Sequence, residues 1–393
     1  MFHGGGMDFS VDGAVRKAPF DHAFLVCVVL LTGAGLATLY SASYTFSELS
    51  KGGRWYIVSG QFWLALFGFA LLFLFANISM RTLRRLVKFL LCFSVILCLL
   101  TFAPGIGLTV NGASRWIGVG NKTFQPSELV KLVLPLYLAH IFDKKQENLD
   151  TFVSGVLPPT LVTALFFTLI LLQNNFSTAL FITINALFIF FLAGIKKRYF
   201  FSAVIIFLPV AFLLVLTKEH RFRRVLSFFW PDWDPLGAGY QVQASTLTVS
   251  SGGFWGKGLG QGTRKVVSVP EIQSDFIFSA YSEESGFLGV IIFILVFAFF
   301  AWRGYRAALR ADSVFARLLA CGLVTTIVTQ ALLNIAVVAG AVPATGVPLP
   351  FFSAGGSSLI VTLAMSGLIL NVSRARPSYP ADGVYSKQGV YGV

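Results

Sequence analysis

The sequence predicts an all-α polytopic membrane protein, and composition is the first observation that points there. Hydrophobic residues make up 56% of the 393-residue chain, charged residues make up only 12%, and 41 residues are Phe. A soluble domain of this length has no use for so much apolar surface, whereas a lipid bilayer requires it. We therefore expect one bundle of helices rather than two or three soluble domains.

Ten apolar segments, most of them near the length that crosses a bilayer, are the second observation. They cover residues 22–44, 56–78, 84–103, 127–142, 153–173, 176–194, 199–217, 284–302, 316–340 and 354–373. The first is too long for the apolar part of a cleaved signal peptide, so we expect a retained helix. The prediction is ten transmembrane helices in one domain, 22–373, between an N-terminal tail (1–21) and a C-terminal tail (374–393).

The distribution of Lys and Arg predicts the orientation of these helices. With a cytoplasmic N-terminus, 18 of the 30 Lys and Arg residues lie in cytoplasmic segments. Most of the basic residues on the other face lie in the large loop 218–283 between helices 7 and 8, and loops longer than roughly 60 residues are largely exempt from the positive-inside rule. Both termini are therefore predicted to be cytoplasmic and the loop extracytoplasmic. The net charge of +13 reflects this bias and contact with anionic lipid, so no nucleic-acid partner is expected.

Asp275 is the candidate general base. It lies in "VPEIQSDFIFSAYSEESGFLG" (269–289), where a long polar loop meets an apolar run. A carboxylate among aromatic residues at such a boundary can be partly dehydrated, which raises its tendency to accept a proton. The position suits an Asp that caps the next helix equally well.

Two further pairs of residues carry candidate chemistry. Glu128 and Lys131 stand three residues apart after an expected N-cap, Ser127, and therefore share one helix face. Ionisable residues at membrane depth usually mark function, and a mutually neutralised structural pair is the alternative. Arg115 beside Trp116 suits a phosphate group through its guanidinium fork, or an anchor for the loop at the membrane interface.

The extracytoplasmic loops add three predictions. Basic and aromatic residues recur at helical spacing around Arg221 and Arg224, which predicts an interfacial helix that attracts anionic headgroups or serves as an anchor. The "GFWGKGLGQG" stretch (253–262) resembles a phosphate-binding glycine loop only superficially, because no dinucleotide-fold context surrounds it. A flexible turn is predicted instead, and close approach of its backbone to a ligand stays open. The Pro- and Gly-rich loop 340–358 must be buried or line a cavity, since irregular backbone is otherwise excluded at membrane depth.

Six stretches carry a family resemblance. They are "NGASRWI", "QPSELVK", "GYQVQAS", "VPEIQSDFIFSAYSEESGFLG", "QALLNIAVVAG" and "VPATGVPLPFFSAGGSS". Together they closely resemble the SEDS family (shape, elongation, division and sporulation), the FtsW and RodA proteins. The resemblance implies a ten-helix inner-membrane glycosyltransferase that polymerises lipid II into peptidoglycan glycan strands.

The resemblance also implies roles for individual residues. The family's essential Asp corresponds to Asp275, which would take the proton from the acceptor hydroxyl in a single inverting displacement. Its Arg-Trp pair corresponds to Arg115 and Trp116, and its Glu and Lys to Glu128 and Lys131. Arg115 would stabilise the departing diphosphate. The other expected substrate-binding residues are Gln241, Ser353, Gly355 and Gly356.

A divalent cation is the one cofactor considered. Mg²⁺ or Mn²⁺ is an alternative to Lys131 as a second source of positive charge at the diphosphate. The four cysteines all lie in apolar segments and give neither a disulfide framework nor metal-ligand spacing. The residues themselves therefore assign no metal site.

One stretch departs from the family pattern. The family usually has Gln-Pro-Asp-x-Gly-Thr at the end of the fifth helix, whereas this chain has "QNNFST" (173–178). Asn175 stands where the family has a carboxylate, so no catalytic role is expected for it. A binding role for the amide, or compensation by Glu128, stays open.

Two other classes of function fit the composition. They are a flippase for the lipid-linked precursor and a non-enzymatic scaffold of the division machinery. A flippase needs polar groups reachable from both faces, whereas here the outer loops hold nearly all of them. The resemblance further implies a class B penicillin-binding transpeptidase and other divisome or elongasome proteins as partners, and "NGASRW" leans toward the FtsW branch.

Cysteine labelling tests the orientation. In a variant without the four native cysteines, a Cys at position 260 should react with an impermeant maleimide added from outside. A Cys at position 147, in the predicted cytoplasmic segment 143–152, should react only after permeabilisation. The reverse pattern would contradict the predicted orientation.

Overall fold

A computed structural model of the chain describes residues 19–51, 53, 55–110, 112–119, 122–230, 237–263 and 272–374, and most of these are helical. The helices are α1 (His22–Lys51), α2 (Tyr56–Asn77), α3 (Met80–Leu100), α4 (Pro126–Lys144), α5 (Leu157–Leu172), α6 (Phe176–Leu192), α7 (Lys197–Leu216), α8 (Glu219–Phe229), α9 (Ala238–Ser251), α10 (Ile277–Leu309), α11 (Val314–Val338) and α12 (Gly356–Val372). Most of the two predicted tails lies outside the described residues.

Each of the ten predicted apolar segments overlaps one of these helices. Six described helical spans are long and apolar enough to cross a membrane: His22–Tyr44, Tyr56–Asn77, Phe152–Leu172, Lys197–Leu216, Ile277–Leu309 and Val314–Val338. The other four helices are shorter or more charged. Helices α6 and α12 have 17 residues each, α3 begins with a cluster of basic residues, and α4 contains Glu128 and Lys131.

The all-α prediction is wrong for the connection between α3 and α4. Three short strands, β1 (Gly107–Val110), β2 (Ala113–Val119) and β3 (Lys122–Phe124), form an antiparallel sheet in the order β1-β2-β3. Strand β2 contains Trp, Ile and Val, which favour strands, but the surrounding glycines hide the pattern. The sheet fixes the positions of Arg115 and Trp116.

Helix α4 also begins differently from the prediction. Its N-cap is Gln125 rather than Ser127, and Pro126 occupies the first helical position, where a missing N–H costs no hydrogen bond. The Gln125 backbone N–H donates to Ser357 Oγ at 3.0 Å, which ties the start of α4 to the start of α12. Ser127 Oγ instead accepts from the Gln125 side chain at 3.1 Å.

Helix α12 lies at the centre of the bundle, and nearly all of its residues are buried. It packs against α2 so closely that a Cβ on Gly367 would lie 2.3 Å from the Leu72 carbonyl oxygen. Helix α7 is the opposite case, because Ala211 is its one buried residue and its apolar side chains face outward. The bundle therefore has a rigid centre and a peripheral helix α7 next to α6 and α8.

Helix α10 is broken at Gly286, where φ is 64° and ψ is −168°. The backbone of the glycine-rich segment 252–260 supplies hydrogen bonds on both sides of the break. Lys257 N–H donates to the Glu283 carbonyl at 3.0 Å, and Phe287 N–H donates to the Gly253 carbonyl at 2.9 Å. The predicted flexible turn is therefore bonded to α10, and its close backbone contact is with this helix.

Gly286→Ala tests the importance of this break. A Cβ at this position would lie 2.2 Å from the Gly256 backbone nitrogen, and the φ/ψ pair is one that essentially only glycine adopts. We expect the free energy of unfolding to fall by about 1–3 kcal/mol or more, which should appear as a lower thermal midpoint of the purified protein. Gly33→Ala is the control, because nothing lies within 4 Å of its Cβ position. Equal midpoints for the two variants would contradict this account.

Candidate functional site

Asp275 lies just before α10, with a partly exposed side chain. Its carbonyl oxygen accepts a hydrogen bond from Asn334 Nδ2 at 2.7 Å, and the same nitrogen donates to the Val347 carbonyl at 2.9 Å. One carboxylate oxygen lies 3.2 Å from the position of a Cβ on Gly346, where φ is 72°. A glycine there allows the Pro- and Gly-rich loop to approach the carboxylate closely.

Ser353 holds the Asp275 segment against this loop. Its buried hydroxyl donates to the Ser274 carbonyl and accepts from the Leu349 N–H at 2.8 Å. A backbone bond from Ala354 N–H to the Gln273 carbonyl, 2.8 Å, continues the contact. The structure therefore places Ser353 among bonds that join two segments of the chain.

Four other predicted substrate-binding residues lie at different places. Gly355 is the N-cap of α12, and Gly356 follows it at a close contact, because a Cβ there would lie 2.6 Å from Leu64 Cδ1. Gln241 lies near the start of α9, and Trp116 lies on β2, both half-buried. None of them lines the large cavity described next, and their roles stay predictions.

A cavity of about 430 Å³ lies among α6, α7, α8 and α11. Strand β2, the turn between α5 and α6, and the start of the Pro- and Gly-rich loop complete its wall. Its basic side chains are Arg115, His220, Arg221 and Arg224, and its apolar wall includes Phe176, Leu180, Ile184 and Leu333. Among the described residues, no Asp or Glu lines it.

Positive charge accumulates around this cavity. Burial lowers the pKa of Arg115, as does repulsion from Arg224 and Arg221, while the negative charge of Asp275 acts in the opposite direction. Burial also lowers the pKa of His220, and the charges of Arg221 and Arg224 add to this effect. An arginine keeps its proton under such shifts, so the cavity is cationic at neutral pH.

Several buried polar atoms at the cavity lack a hydrogen-bond partner among the described residues. They include Arg115 Nε, Arg221 Nε and Thr345 Oγ1. The remaining guanidinium donors are partly used, because Arg115 Nη2 donates to the Asn174 carbonyl and Arg221 Nη1 donates to the Leu214 carbonyl at 3.0 Å. An unmet buried donor costs about 1–3 kcal/mol, and a ligand rich in acceptor oxygens would satisfy the two guanidinium donors.

The turn "QNNFST" forms one edge of the cavity. Asn174 has φ of 58°, and its side-chain nitrogen donates to the Gly112 carbonyl at 2.8 Å. Proline, which the family usually has here, is fixed near −65° and could not adopt this conformation. Asn175 caps α6 by accepting from Thr178 N–H at 3.4 Å. The amide thus serves as a cap and adds no charge to the cavity.

Glu128 and Lys131 form a buried ion pair outside the large cavity. Lys131 Nζ lies 2.7 Å from Glu128 Oε1 and donates to Gln330 Oε1 at 3.0 Å. It also lies 5.4 Å from the centre of the Phe181 ring. Gln330 in turn donates to the Pro348 carbonyl at 2.9 Å, so the pair is connected to the Pro- and Gly-rich loop. This geometry suits a structural pair.

The described residues contain no group of three or more His, Cys, Asp or Glu side chains that could hold a metal ion. Mg²⁺ or Mn²⁺, the alternative to Lys131 considered above for the diphosphate, therefore has no such ligand cluster in this part of the chain.

Comparison with known proteins identifies the family. A family of cell cycle proteins, FtsW, RodA and SpoVE, matches residues 21–378. The chain belongs to this family. It is 38% identical to the probable peptidoglycan glycosyltransferase FtsW of Geobacter sp. (strain M18), over 91% of this chain and 98% of the relative. It is 36% identical to the stage V sporulation protein E of Bacillus subtilis (strain 168), over 91% of this chain and 98% of that relative.

Solved structures agree with this assignment. A chain from a structure described as "Structural coordination of polymerization and crosslinking by a peptidoglycan synthase complex" has a TM-score of 0.74 and 28% identity, over 90% of this chain and 98% of that chain. The rod shape determining protein RodA of Thermus thermophilus has a TM-score of 0.66 and 28% identity, over 91% of this chain and 97% of that chain. The predicted FtsW/RodA resemblance is confirmed, and with its apolar helices the chain is a multi-pass membrane protein.

Stability measurements test the ion pair of this FtsW/RodA family member. Glu128→Gln or Lys131→Met alone leaves one buried charge uncompensated, which typically costs about 3–5 kcal/mol. We expect the double variant to have a higher thermal midpoint than either single variant. The exposed pair Glu219–Arg223 is the control, because its removal should shift the midpoint little.

Glycan synthesis by these variants distinguishes the two roles that the sequence left open. A stable double variant that still synthesises glycan would exclude both residues from substrate binding. A stable but inactive double variant would show that Glu128 and Lys131 act in substrate binding.

Proposed function

We propose that the chain is a peptidoglycan glycosyltransferase that polymerises lipid II at the outer face of the bacterial inner membrane. One observation carries the proposal: Arg115 and Thr345 line a cationic cavity, and Gly346, the residue after Thr345, lies against the Asp275 carboxylate. A carboxylate base beside a site for an anionic leaving group is what glycosyl transfer from a lipid diphosphate requires. The names of the relatives support the same activity.

Ten transmembrane helices with cytoplasmic termini form the proposed topology. Helices α1–α7 and α10–α12 are the spans, and α8 and α9 belong to the extracytoplasmic loop 218–283. The Arg84–Asp143 ion pair, 2.5 Å, lies at the proposed cytoplasmic end of α4, about 22 Å along the helix from Glu128. For the labelling test, Gln261 is a sounder position than Gly260, whose φ of 81° strains a Cys.

The proposed reaction is a single displacement. A hydroxyl oxygen of the acceptor attacks the anomeric carbon of the donor, and the bond between that carbon and the diphosphate oxygen breaks with its electron pair going to the diphosphate. Asp275 takes the hydroxyl proton, and Arg115 stabilises the new negative charge on the diphosphate. The configuration inverts, because no covalent enzyme intermediate forms.

The shape of the cavity favours a lipid-linked substrate. Its apolar wall includes Leu180 and Ile184 of α6, and Ile184 is 51% exposed, so the cavity is open along this wall. An apolar opening of this kind suits a polyprenyl chain that remains in the bilayer. The flippase alternative would need a comparable polar site toward the cytoplasmic end, whereas the cationic cavity lies at the Asp275 end.

The partner is proposed from the synthase complex. The matching chain comes from a complex described as coordinating polymerisation and crosslinking. We therefore expect a class B penicillin-binding transpeptidase to bind this chain, together with other divisome or elongasome proteins. The FtsW relatives favour division over elongation.

Asp275→Asn tests the general base. The variant keeps the size of the side chain but cannot accept a proton, so lipid II polymerisation should fall by about 10²–10⁴-fold. It should still fold and bind its transpeptidase. Asp312→Asn, on the exposed loop between α10 and α11, is the matched control and should keep the parent rate.

Glu284→Gln is the second comparison. Glu284 accepts from the Gly260 backbone N–H at 3.0 Å, a bond that Gln can also accept, so this change should cost much less activity than Asp275→Asn. Near-parental polymerisation by Asp275→Asn together with loss of activity in Glu284→Gln would show that the base is another carboxylate.

A further inference from the structure

Helix α8 directs its arginines to two different sides. Arg221 and Arg224, three residues apart, share a face and line the cavity. Arg223 lies on another face, is exposed, and pairs with Glu219 at 2.6 Å. The helix therefore contributes two of its three arginines to the cavity, and the third provides a comparison within the same helix.

Arg221 is the more informative of the two. It is only 7% exposed, and its guanidinium lies 5.0 Å from the centre of the Phe176 ring. Its Nη1 donates to the Leu214 carbonyl, but its buried Nε has no partner among the described residues. A buried guanidinium with an unmet donor and no carboxylate partner is costly, and an anionic ligand would remove this cost.

The charge of the cavity indicates what kind of anion fits. Arg115, Arg221 and Arg224 converge on it, and no described carboxylate lines its wall. A single carboxylate would leave most of this charge unbalanced, whereas a diphosphate carries several charges and many acceptor oxygens. Guanidinium groups match phosphate oxygens through paired N–H donors.

We propose that Arg221 and Arg224 of α8, together with Arg115, form the leaving-group subsite that binds the diphosphate of the polyprenyl-linked donor. This inference rests on the proposed glycosyltransferase function and adds α8 to its machinery. The apolar wall formed by Leu180, Ile184 and Leu333 receives the first part of the polyprenyl chain. When the bond to the anomeric carbon breaks, the negative charge that develops on the diphosphate lies among these arginines.

The position of Asp275 assigns the subsite to the donor rather than the acceptor. Thr345 lines the cavity, and the Cβ position of the next residue, Gly346, lies 3.2 Å from an Asp275 carboxylate oxygen, so base and cations belong to one reacting centre. In the donor, the diphosphate is bonded to the carbon under attack. In a lipid II acceptor, a disaccharide separates the diphosphate from the attacking hydroxyl, which would place that diphosphate away from the base.

Binding of undecaprenyl diphosphate to the full-length protein in lipid nanodiscs tests the proposal. We expect Arg224→Gln and Arg221→Lys to weaken binding by about tenfold to a hundredfold, the range for loss of a charge-assisted hydrogen bond. Arg223→Gln, with the same change of charge on the same helix, should bind like the parent. Arg224 is exposed, so its substitution should leave the thermal midpoint unchanged even if Arg221→Lys fails to fold.

Competing probes identify the ligand. Undecaprenol should compete at least tenfold less well than undecaprenyl diphosphate, and so should inorganic diphosphate, because each lacks one part of the expected ligand. If undecaprenol competes as well as undecaprenyl diphosphate, the site binds only the lipid chain. If inorganic diphosphate competes as well, the site binds only the free anion. Equal weakening by Arg223→Gln would show a non-specific effect of charge. Each of these three results overturns the proposal.

The subsite and the proposed function can fail separately. Asp275→Asn should slow polymerisation by about 10²–10⁴-fold and still bind undecaprenyl diphosphate, and this result supports both the subsite and the function. Parental binding by Arg224→Gln in a protein that polymerises lipid II would overturn the subsite and leave the function intact. Arg224-dependent binding by a parent protein that makes no glycan would overturn the function and leave the subsite intact.

Discussion

Two amide side chains on α11, Gln330 and Asn334, hold together the segments that carry the candidate site. They lie one helical turn apart, so both face the same neighbours. Gln330 contacts Lys131 and the Pro348 carbonyl, and Asn334 contacts the carbonyl groups of Val347 and Asp275. The backbone before α10, the Pro- and Gly-rich loop and the buried pair on α4 are thereby fixed to one helix. Asp275 can have a defined position in a loop because its main chain is bonded from α11.

The polar residues of the site divide into two groups by how fully their hydrogen bonds are satisfied. Lys131 and Ser353 each make two side-chain hydrogen bonds within the protein, and buried networks of this kind rigidify a bundle. Arg115 and Arg221 retain unmet buried donors and face open space. The first group therefore supports the site, and the second is free to bind an anion.

Sequence reasoning predicted the helices well but could not predict which side chains line the cavity. Long apolar runs predicted the helices, because apolar length is a local property. The sheet around Arg115 was missed, since its strands are short and set among glycines. Lys131 was predicted as a substrate-binding residue and Arg221 as part of an interfacial helix. Only packing decides that Lys131 contacts Glu128 and Gln330 while Arg221 lines the cavity. Spacing along one helix carries no information about the element that packs against it.

The departure at "QNNFST" is consistent with a cavity built for anions. A carboxylate at position 175 would cap α6 as well as the amide does, but it would also place a negative charge on the cavity wall. Asn175 caps the helix without that charge. Asn174 has a conformation that proline cannot adopt. Its carbonyl accepts a hydrogen bond from Arg115, and its side-chain nitrogen donates to the Gly112 carbonyl, so the turn also holds Arg115 of β2 in place. The two asparagines thus leave the positive charge of Arg115, Arg221 and Arg224 available to a bound ligand.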